Sequence, residues 1–176
     1  MFVECLALSG LKIVQPRIFQ DERGCFWESY RRPLYEELGI ALDFPQDNVS
    51  VSCKGTIRGL HYQKGQAKLV SVLSGAIFDV AIDIRKESPT FGQWTALELN
   101  DSCRKQFFIP DGFAHGFCVL SEQAIVQYKV SAVYDPKEEK SIRWNDPFFA
   151  IDWPVKAPIL SMRDQASPFF ESEVYS

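Results

Sequence analysis

The chain contains only two histidines, and both lie in segments whose residue types suit chemistry more than packing. His61 lies in residues 58–63 (RGLHYQ), and His115 lies in residues 109–117 (IPDGFAHGF). An unperturbed imidazole has a pKa of ~6.5, so it accepts and releases protons near neutral pH. If the protein is an enzyme that works by proton transfer, we expect one of the two to be its base. A transition-metal site would need both.

A tyrosine and two aspartates are placed by strand alternation on faces that also carry apolar residues. In residues 124–130, Tyr128 shares a face with valines and should point into a barrel, where its hydroxyl needs a partner. In residues 75–85, Asp79 and Asp83 share a face with Ile77 and Ala81. A carboxylate that points inward needs a cation or a hydrogen-bond donor, which makes Asp83 a candidate pocket residue.

The segment around the first histidine contains a glycine that could change its geometry. Strict alternation would place Arg58 and His61 on opposite faces of a strand. Gly59 lies between them and could host a β-bulge that brings both side chains to one site.

The elements that must position these residues are mainly short strands, as in a barrel or a sandwich. Six segments rich in β-branched and aromatic residues are predicted to be strands: residues 69–73, 76–84, 94–99, 106–109, 117–120 and 124–133. One helix is predicted over residues 33–38, with Pro33 in its first turn and Gly39 at its end. A second short helical turn is expected over residues 147–151. The helices should be peripheral.

Composition indicates a globular protein of one domain, residues 1–176, and excludes several classes of partner. The net charge of -4 argues against nucleic acid. No stretch approaches the ~20 apolar residues that span a membrane. The five scattered cysteines are typical of reduced thiols in a cytoplasmic protein. The charge run at residues 137–140 (KEEK) is interpreted as a solvated turn.

The segment around His115 resembles a motif of the cupin superfamily of small β-barrels. It is Pro110-x-Gly112-x-x-His115, which resembles the second cupin motif. The first cupin motif normally supplies a His-x-His pair and a glutamate, whereas residues 61–63 read HYQ. The usual set of metal ligands is therefore incomplete. A facial triad of two histidines and one carboxylate remains an alternative.

A fuller resemblance covers nearly the whole chain and is to one cupin branch, the dTDP-4-dehydrorhamnose 3,5-epimerase family of nucleotide-sugar epimerases. Its blocks occur in order at residues 19–30, 46–48, 58–63, 67–70, 79–85, 88–92, 112–117, 128–129, 144–146 and 160–164. The resemblance implies a mainly β fold, a cupin-like jelly-roll β-barrel with a few short peripheral helices. It also implies a dTDP-linked 4-keto-6-deoxy sugar as substrate, inversion at C3 and C5 through an enolate, and no redox cofactor.

The resemblance also implies roles for individual residues. His61 would be the base and Asp164 the carboxylate that orients it, while Lys68 would stabilise the enolate oxygen. Tyr128 would return a proton on the opposite face of the sugar. Asp83 and His115 would form a second inward pair that lines the pocket.

For the nucleotide, the resemblance implies contacts from two parts of the chain. Arginines would meet phosphate or base, aromatic rings would flank the base, and polar side chains would add contacts. The expected binding residues are Arg58, Arg23, Phe19, Phe26, Glu28, Gln46 and Asn48. Tyr134 matches another tyrosine of the family's pocket. The N-terminal strands would reach across a homodimer, so those of residues 19–28 would serve the neighbouring subunit's site.

Two departures from the family pattern leave the substrate open. Residues 64–67 form a short connection where many relatives have a longer loop, and Arg163 precedes Asp164 where lysine is common. A relative that epimerises one carbon only, or that accepts another nucleotide sugar, is therefore a close alternative. A metal-dependent cupin and a binding module without activity are alternatives from other classes.

Overall fold

The computed structural model describes residues 1–170, and this part of the chain is mainly β. It contains thirteen strands and two short helices. In chain order the elements are β1 Phe2–Cys5, β2 Lys12–Gln15, β3 Ile18–Asp21, β4 Gly24–Trp27, α1 Arg32–Glu37, β5 Gln46–Cys53, β6 Ile57–Tyr62, β7 Lys68–Ser74, β8 Ala76–Asp83, β9 Trp94–Asn100, β10 Gln106–Ile109, β11 Phe113–Val119, β12 Gln123–Val130, β13 Lys140–Ser141 and α2 Met162–Gln165.

Two antiparallel sheets form the body of the fold. One has the strand order β1-β2-β10-β7-β12-β5, and the other has the order β13-β6-β11-β8-β9. The inner faces pack on each other through apolar side chains, among them Val70 and Val126 from the first sheet and Ile77 and Phe117 from the second. The predicted jelly-roll barrel is confirmed.

Alternation along β8 is as the sequence predicts. Ile77 and Ala81 belong to the core between the sheets, whereas Val80 and Ile82 pack outside the second sheet. Trp153, from the C-terminal part of the chain, belongs to that outer cluster. Each residue of β8 therefore faces one of two apolar layers, which fixes the register of the strand.

The first predicted helix is confirmed as α1. Pro33 lies in its first turn, Tyr35 is buried, and Gly39 follows the helix with a left-handed φ of 73°. Neither of the two described helices is long and apolar enough to cross a membrane.

The second helix does not lie where it was predicted. Residues 147–151 form no helix but a single turn, in which the Ala150 amide donates to the Asp146 carbonyl at 3.0 Å. Ala150 has a left-handed φ of 47°, which ends the turn after one hydrogen bond. The second helix is α2, which starts at the N-cap Ser161.

Two strands have bounds that differ from the prediction. β11 begins at Phe113 and not at residue 117, because Gly112, with a φ of 84°, already completes the preceding turn. β12 ends at Val130 and not at residue 133, because both neighbouring strands pair with it only as far as Val130.

The strands β3 and β4 form a hairpin that stands apart from both sheets. Within residues 1–170 they pair only with each other. Phe26 is 65% exposed and Phe19 is 48% exposed. The Arg17 guanidinium lies 4.8 Å from the centre of the Phe19 ring, but about half or more of each phenylalanine remains exposed.

Candidate active site

A cavity of about 410 Å³ opens between the two sheets and is lined by all four predicted catalytic residues. It is lined by Gln46, Asn48, Ser50, Arg58, His61, Gln66, Lys68, His115, Phe117, Tyr128, Val130, Tyr134, Glu139, Ser161, Arg163 and Asp164. The lining combines bases, carboxylates and cations with few apolar groups, which suits a charged, polar ligand.

A β-bulge in β6 brings two of these residues to the cavity. His61 lies opposite His115 of β11. Arg58 lies opposite Phe117, so two residues of β6 face a single residue of β11. Gly59 lies in the bulge with a φ of 136°, a conformation that favours glycine. Both Arg58 and His61 line the cavity, as the bulge hypothesis predicted.

His61 and Asp164 form a close pair at the cavity wall. The Nε2 atom of His61 lies 2.6 Å from Oδ1 of Asp164, and the two side chains are 25% and 5% exposed. Ser161 caps α2 by accepting a hydrogen bond from the Asp164 amide at 3.0 Å. Burial is the largest single effect and by itself would raise the pKa of Asp164. The hydrogen bond and charge of His61, the hydrogen bond of Ser161 and the charge of Arg163 together outweigh burial and lower that pKa. The carboxylate therefore stays ionised beside the imidazole.

Lys68 is a buried cation next to this pair. Its Nζ donates to the carbonyl oxygen of His61 at 3.4 Å. Burial lowers the pKa of Lys68 to about 8, while the carboxylates of Glu139, Asp111 and Asp79 oppose that change. A lysine in this state is a cation near neutral pH that loses its charge under mildly alkaline conditions.

Tyr128 reaches the cavity from the opposite sheet. It projects from β12 of the first sheet, whereas His61 projects from β6 of the second. Tyr128 and Val130 both line the cavity, and Tyr128 packs on the core that contains Val126, as alternation predicted. Burial raises the pKa of Tyr128, and Glu139 adds to that effect while Arg58 opposes it. The phenol therefore holds its proton.

The second histidine pairs with a different aspartate from the one predicted. His115 Nε2 lies 2.6 Å from Oδ1 of Asp79, not of Asp83. Both aspartates share the predicted face of β8, but Asp79 lies opposite Phe117, two residues along β11 from His115. That diagonal position brings the imidazole and the carboxylate into contact. The register of β8 on β11, which one sequence does not fix, decided between the two aspartates.

Asp83 does not line the cavity. Its carboxylate accepts hydrogen bonds from Arg85 at 2.7 and 2.8 Å, from Ser88 at 2.5 Å and from Thr90 at 2.6 Å. Burial opposes these bonds, but together they lower its pKa to about 2. The buried carboxylate of Asp83 therefore has a cationic partner, Arg85, and its hydrogen bonds hold the loop after β8 in place.

Three of the predicted nucleotide contacts, Arg58, Gln46 and Asn48, lie on the cavity, as does the predicted pocket residue Tyr134. Arg58 Nε donates to the Ser52 hydroxyl at 2.9 Å. Gln46 donates from Nε2 to the Asn48 side chain at 2.9 Å and accepts from the Tyr134 amide at 2.8 Å. These bonds hold polar groups in place along one rim of the cavity. The planar guanidinium of Arg58 can bind phosphate oxygens in pairs there.

The other four predicted nucleotide contacts are not brought to this cavity within the described chain. Phe19, Arg23 and Phe26 lie on the β3–β4 hairpin around a separate depression. Glu28 follows the hairpin and pairs with Arg31 at 3.5 Å.

Seven residues that line the cavity were not among the predicted site residues: Ser50, Gln66, Phe117, Val130, Glu139, Ser161 and Arg163. Glu139 belongs to the charge run at residues 137–140; its three neighbours are exposed as predicted, but its own side chain is 16% exposed and lines the cavity. No periodicity marks it, because it precedes a strand of only two residues. Ser161 had a signal, since Ser161-x-x-Asp164 has the spacing of a helix N-cap followed by an acidic residue.

Across residues 1–170, no group of three or more histidine, cysteine, aspartate or glutamate side chains is placed to hold a metal ion. His61 and His115 each face their own carboxylate instead. The arrangement can therefore do proton chemistry between two faces of a bound molecule, with a base on one sheet and with a phenol and an ammonium group on the other.

Comparison with known proteins agrees with this arrangement. The family model for dTDP-4-dehydrorhamnose 3,5-epimerase matches residues 5–172. The dTDP-4-dehydrorhamnose 3,5-epimerase of Salmonella typhimurium is 48% identical over 176 residues, covering 97% of this chain and 96% of the relative.

Solved structures give the same result for the fold. The dTDP-6-deoxy-D-glucose-3,5-epimerase of Legionella pneumophila, in complex with dTDP-4-keto-L-rhamnose, is 51% identical with a TM-score of 0.91, covering 95% of this chain and 91% of that one. A 3'-monoepimerase of Streptomyces bikiniensis, in complex with dTDP-quinovose, is 34% identical with a TM-score of 0.88, covering 96% and 87%. By its sequence, its fold and the motifs that line its cavity, the chain belongs to the dTDP-4-dehydrorhamnose 3,5-epimerase family.

Proposed function

We propose that the protein epimerises dTDP-4-dehydro-6-deoxy-D-glucose at C3 and C5 to give dTDP-4-dehydro-L-rhamnose. The observation that carries this proposal is the placement of His61 and Tyr128 on opposite sheets of one cavity, with Lys68 beside the base. Inversion of a carbon requires removal of a proton from one face and its return to the other. The two sheets supply these two faces.

His61 is the base in this mechanism. With Nε2–H donating to Asp164, the basic nitrogen is Nδ1, which removes the proton from a carbon next to the C4 ketone. The electron pair of the broken C–H bond moves into the enolate. The ionised Asp164 stabilises the imidazolium that forms, as a carboxylate does for a general base. A positioned base contributes about 10²–10⁴-fold to such a step.

Lys68 stabilises the negative charge that develops on the C4 oxygen. A cation held in a buried site acts more strongly than one in water, and a single well-placed donor is worth roughly 3–4 kcal/mol. Its pKa of about 8 keeps it mostly charged at neutral pH. This role predicts that epimerisation slows as the pH rises through about 8, because deprotonation removes the charge that the enolate needs.

Tyr128 completes the inversion. Its phenol donates a proton to the same carbon from the opposite face, and the enolate returns to a ketone. Solvent then restores the proton to the phenolate and takes one from His61. No redox partner is needed, because the carbon begins and ends in the same oxidation state.

The nucleotide binds at the rim of the cavity and contacts a second subunit. Arg58 meets the diphosphate, while Gln46, Asn48 and Tyr134 contact the remainder of the nucleotide. His115 shapes the wall beside them.

We also propose that the β3–β4 hairpin of one subunit completes the site of another in a homodimer. Its exposed Phe19 and Phe26 would flank the thymine base, with Arg23 and Glu28 nearby. The edge strand β5, with Val49 61% exposed and Val51 55% exposed, offers an apolar face for such docking. Light scattering should give the mass of a dimer, and Phe26→Asp should shift it toward a monomer and weaken dTDP binding. A monomeric unmodified protein would contradict this part of the proposal.

The same proposal treats residues 1–176 as a single domain that works in the cytoplasm. The five cysteines support this location, since all five are free thiols and three of them are exposed. A cell fractionation that recovers the protein outside the cytoplasm would contradict it.

The experiment that tests the function is incubation with the dTDP-linked 4-keto sugar in D₂O. Deuterium at both C3 and C5 of the product supports the proposal. Deuterium at one carbon only supports the second candidate, a monoepimerase, which the likeness to the Streptomyces bikiniensis enzyme makes specific. No exchange by the folded protein would contradict both.

Tyr128→Phe separates the two halves of the mechanism. The variant should still exchange the proton that His61 removes, but it should complete inversion far more slowly, since the far face has lost its acid. Equal loss of exchange and inversion would argue against Tyr128 as the proton donor.

A further inference from the structure

The wall of the cavity holds an ion pair that the proposed steps do not use. The carboxylate of Glu139 contacts the guanidinium of Arg163, and the two side chains are 16% and 46% exposed. Arg163 Nη1 also lies 3.5 Å from the hydroxyl oxygen of Tyr134. Glu139 therefore places a negative charge inside the cavity, and Arg163 partly neutralises it from the solvent side.

The pair is fixed by the same elements that hold the base. Glu139 immediately precedes β13, whose Ser141 lies opposite His61 on β6. Arg163 lies in α2, directly before Asp164. The ion pair thus connects the strand beside His61 with the helix that carries its carboxylate.

Three carboxylates act on the Lys68 ammonium, and they differ in what else they bind. Asp79 of β8 is held by His115. Asp111, in the turn between β10 and β11, accepts amide hydrogen bonds at 2.8 Å. Glu139 is the member of the three that lines the cavity. The other titratable or charged groups of the cavity are Arg58, His61, His115, Tyr128, Tyr134, Arg163 and Asp164.

Glu139 has the same effect on two groups that must hold a proton for the reaction. Its charge raises the pKa of Lys68 against the larger effect of burial, and it raises the pKa of Tyr128 in addition to burial. Since Arg163 is in contact with the carboxylate, it reduces the negative charge that both groups experience. The strength of the pair should therefore set how firmly they hold their protons.

We propose that Glu139 and Arg163 are positioning residues whose ion pair sets the fraction of Lys68 that is protonated, and thereby the alkaline limit of epimerisation. The link to epimerisation rests on the proposed function, whereas the effect on Lys68 is a property of the free protein.

The test is a direct titration of Lys68 by competitive acetylation with acetic anhydride across pH 6–11, read by mass spectrometry. The unmodified protein should show a midpoint near pH 8. Glu139→Gln should move the midpoint to lower pH by about one pH unit, the scale on which a neighbouring charge acts. Arg163→Met should move it to higher pH, because it leaves the Glu139 charge unbalanced.

Two further variants serve as controls. Glu138→Gln removes one negative charge from the adjacent, exposed position and should leave the midpoint unchanged. The double variant Glu139→Gln/Arg163→Met removes both charges and should return the midpoint close to that of the unmodified protein. Circular dichroism confirms that each variant is folded.

Opposite shifts in the two single variants support the proposal, because a loss of packing would not change sign with the charge removed. Unchanged midpoints, or shifts in the same direction, would overturn it. The alkaline midpoint of deuterium exchange should follow the same order. If the unmodified protein does not catalyse exchange, the proposed function fails, while the titration still decides whether the pair controls Lys68.

Discussion

Two histidine–aspartate pairs, each with its histidine on the cavity, have the same contact distance and different surroundings. His61 Nε2 and His115 Nε2 each lie 2.6 Å from a carboxylate oxygen, that of Asp164 and that of Asp79 respectively. The His61 side chain is 25% exposed, whereas that of His115 is 8% exposed. Distance alone therefore does not distinguish a base from a structural histidine.

The two carboxylates are supported in different ways. Asp164 lies in the short helix α2, where Ser161 caps its amide and Arg163 adds a favourable charge. Asp79 lies in the middle of β8 with no exposed surface, and its Oδ2 has no hydrogen-bond partner within the described residues. The first arrangement tolerates the appearance and loss of charge at the imidazole. The second depends on His115 to satisfy a buried carboxylate.

Lys68 interacts with one member of each pair. Its Nζ donates to the His61 carbonyl, and Asp79 is among the carboxylates that raise its pKa. A histidine–aspartate pair is a candidate for catalysis when an acid faces it across the cavity and when the substrate can reach its histidine. By that criterion His61 is the base. His115 lines the cavity and holds Asp79, whose charge raises the pKa of Lys68.

The largest expected effect comes from the bulge that places both histidines opposite each other. In Gly59→Ala, the new Cβ would lie 2.5 Å from Gly116 Cα at a φ of 136°. Backbone strain and overpacking together should lower the free energy of unfolding by about 3–5 kcal/mol, measured by urea denaturation. Gly65→Ala is the control, since Gly65 also has a positive φ but nothing lies within 4 Å of its Cβ. Equal losses in both would show that the close approach at the bulge does not matter.

The next largest effect concerns Lys68. Lys68→Met should slow epimerisation about 10²–10³-fold, as removal of one oxyanion donor does. Steady-state kinetics should place most of the loss in kcat, because the enolate exists only during reaction. A loss confined to KM would show that Lys68 only shapes the binding site, as His115 does, and does not stabilise the enolate.

The same substitution should affect stability with a definite pH dependence. The pKa of Lys68 falls from 10.5 to about 8 on folding, so its burial costs stability below pH 8, on the order of 3 kcal/mol. Lys68→Met should therefore be more stable than the unmodified protein at pH 7. The difference should shrink as the pH rises from about 8 to 10.5, where the unfolded lysine also loses its proton. A difference that does not vary with pH would contradict the assignment.

The smallest expected effect separates the two pairs by stability. His115→Ala leaves a fully buried carboxylate without its partner and should cost about 1–3 kcal/mol. His61→Ala should cost less than about 1 kcal/mol, since the His61 side chain is 25% exposed and its removal lets water reach the Asp164 carboxylate. Thermal denaturation of both variants at pH 7 measures the difference. The reverse order would show that His61 has the structural role.

Much of this arrangement could be predicted from the sequence, because local patterns determine it. Alternation correctly placed Tyr128 inside the barrel, and Gly59 correctly indicated a bulge that unites Arg58 with His61. Proline and glycine at its two ends gave the bounds of α1. These features depend on residues close together in the chain, where sterics and periodicity suffice.

The remainder depends on contacts between distant segments. Asp79 and Asp83 share one face of β8, and only the register against β11 decides which of them meets His115. Glu139 lines the cavity because the strand that follows it, β13, pairs with β6. With only two residues, β13 is too short for a sequence pattern to predict that pairing. Residues 147–151 contain apolar side chains that suit a helix, but the left-handed Ala150 stops them after one turn.

The most direct test of the central claim is solvent exchange by His61→Ala and His115→Ala in D₂O, with the dTDP-linked 4-keto sugar and with both variants folded. If His61 is the base, its variant should incorporate deuterium about 10²–10⁴-fold more slowly than the unmodified protein. It should also bind dTDP nearly as well. The His115→Ala variant should lose less than about tenfold in rate. Comparable losses in the two variants, or a larger loss in His115→Ala, would contradict the assignment of His61 as the base.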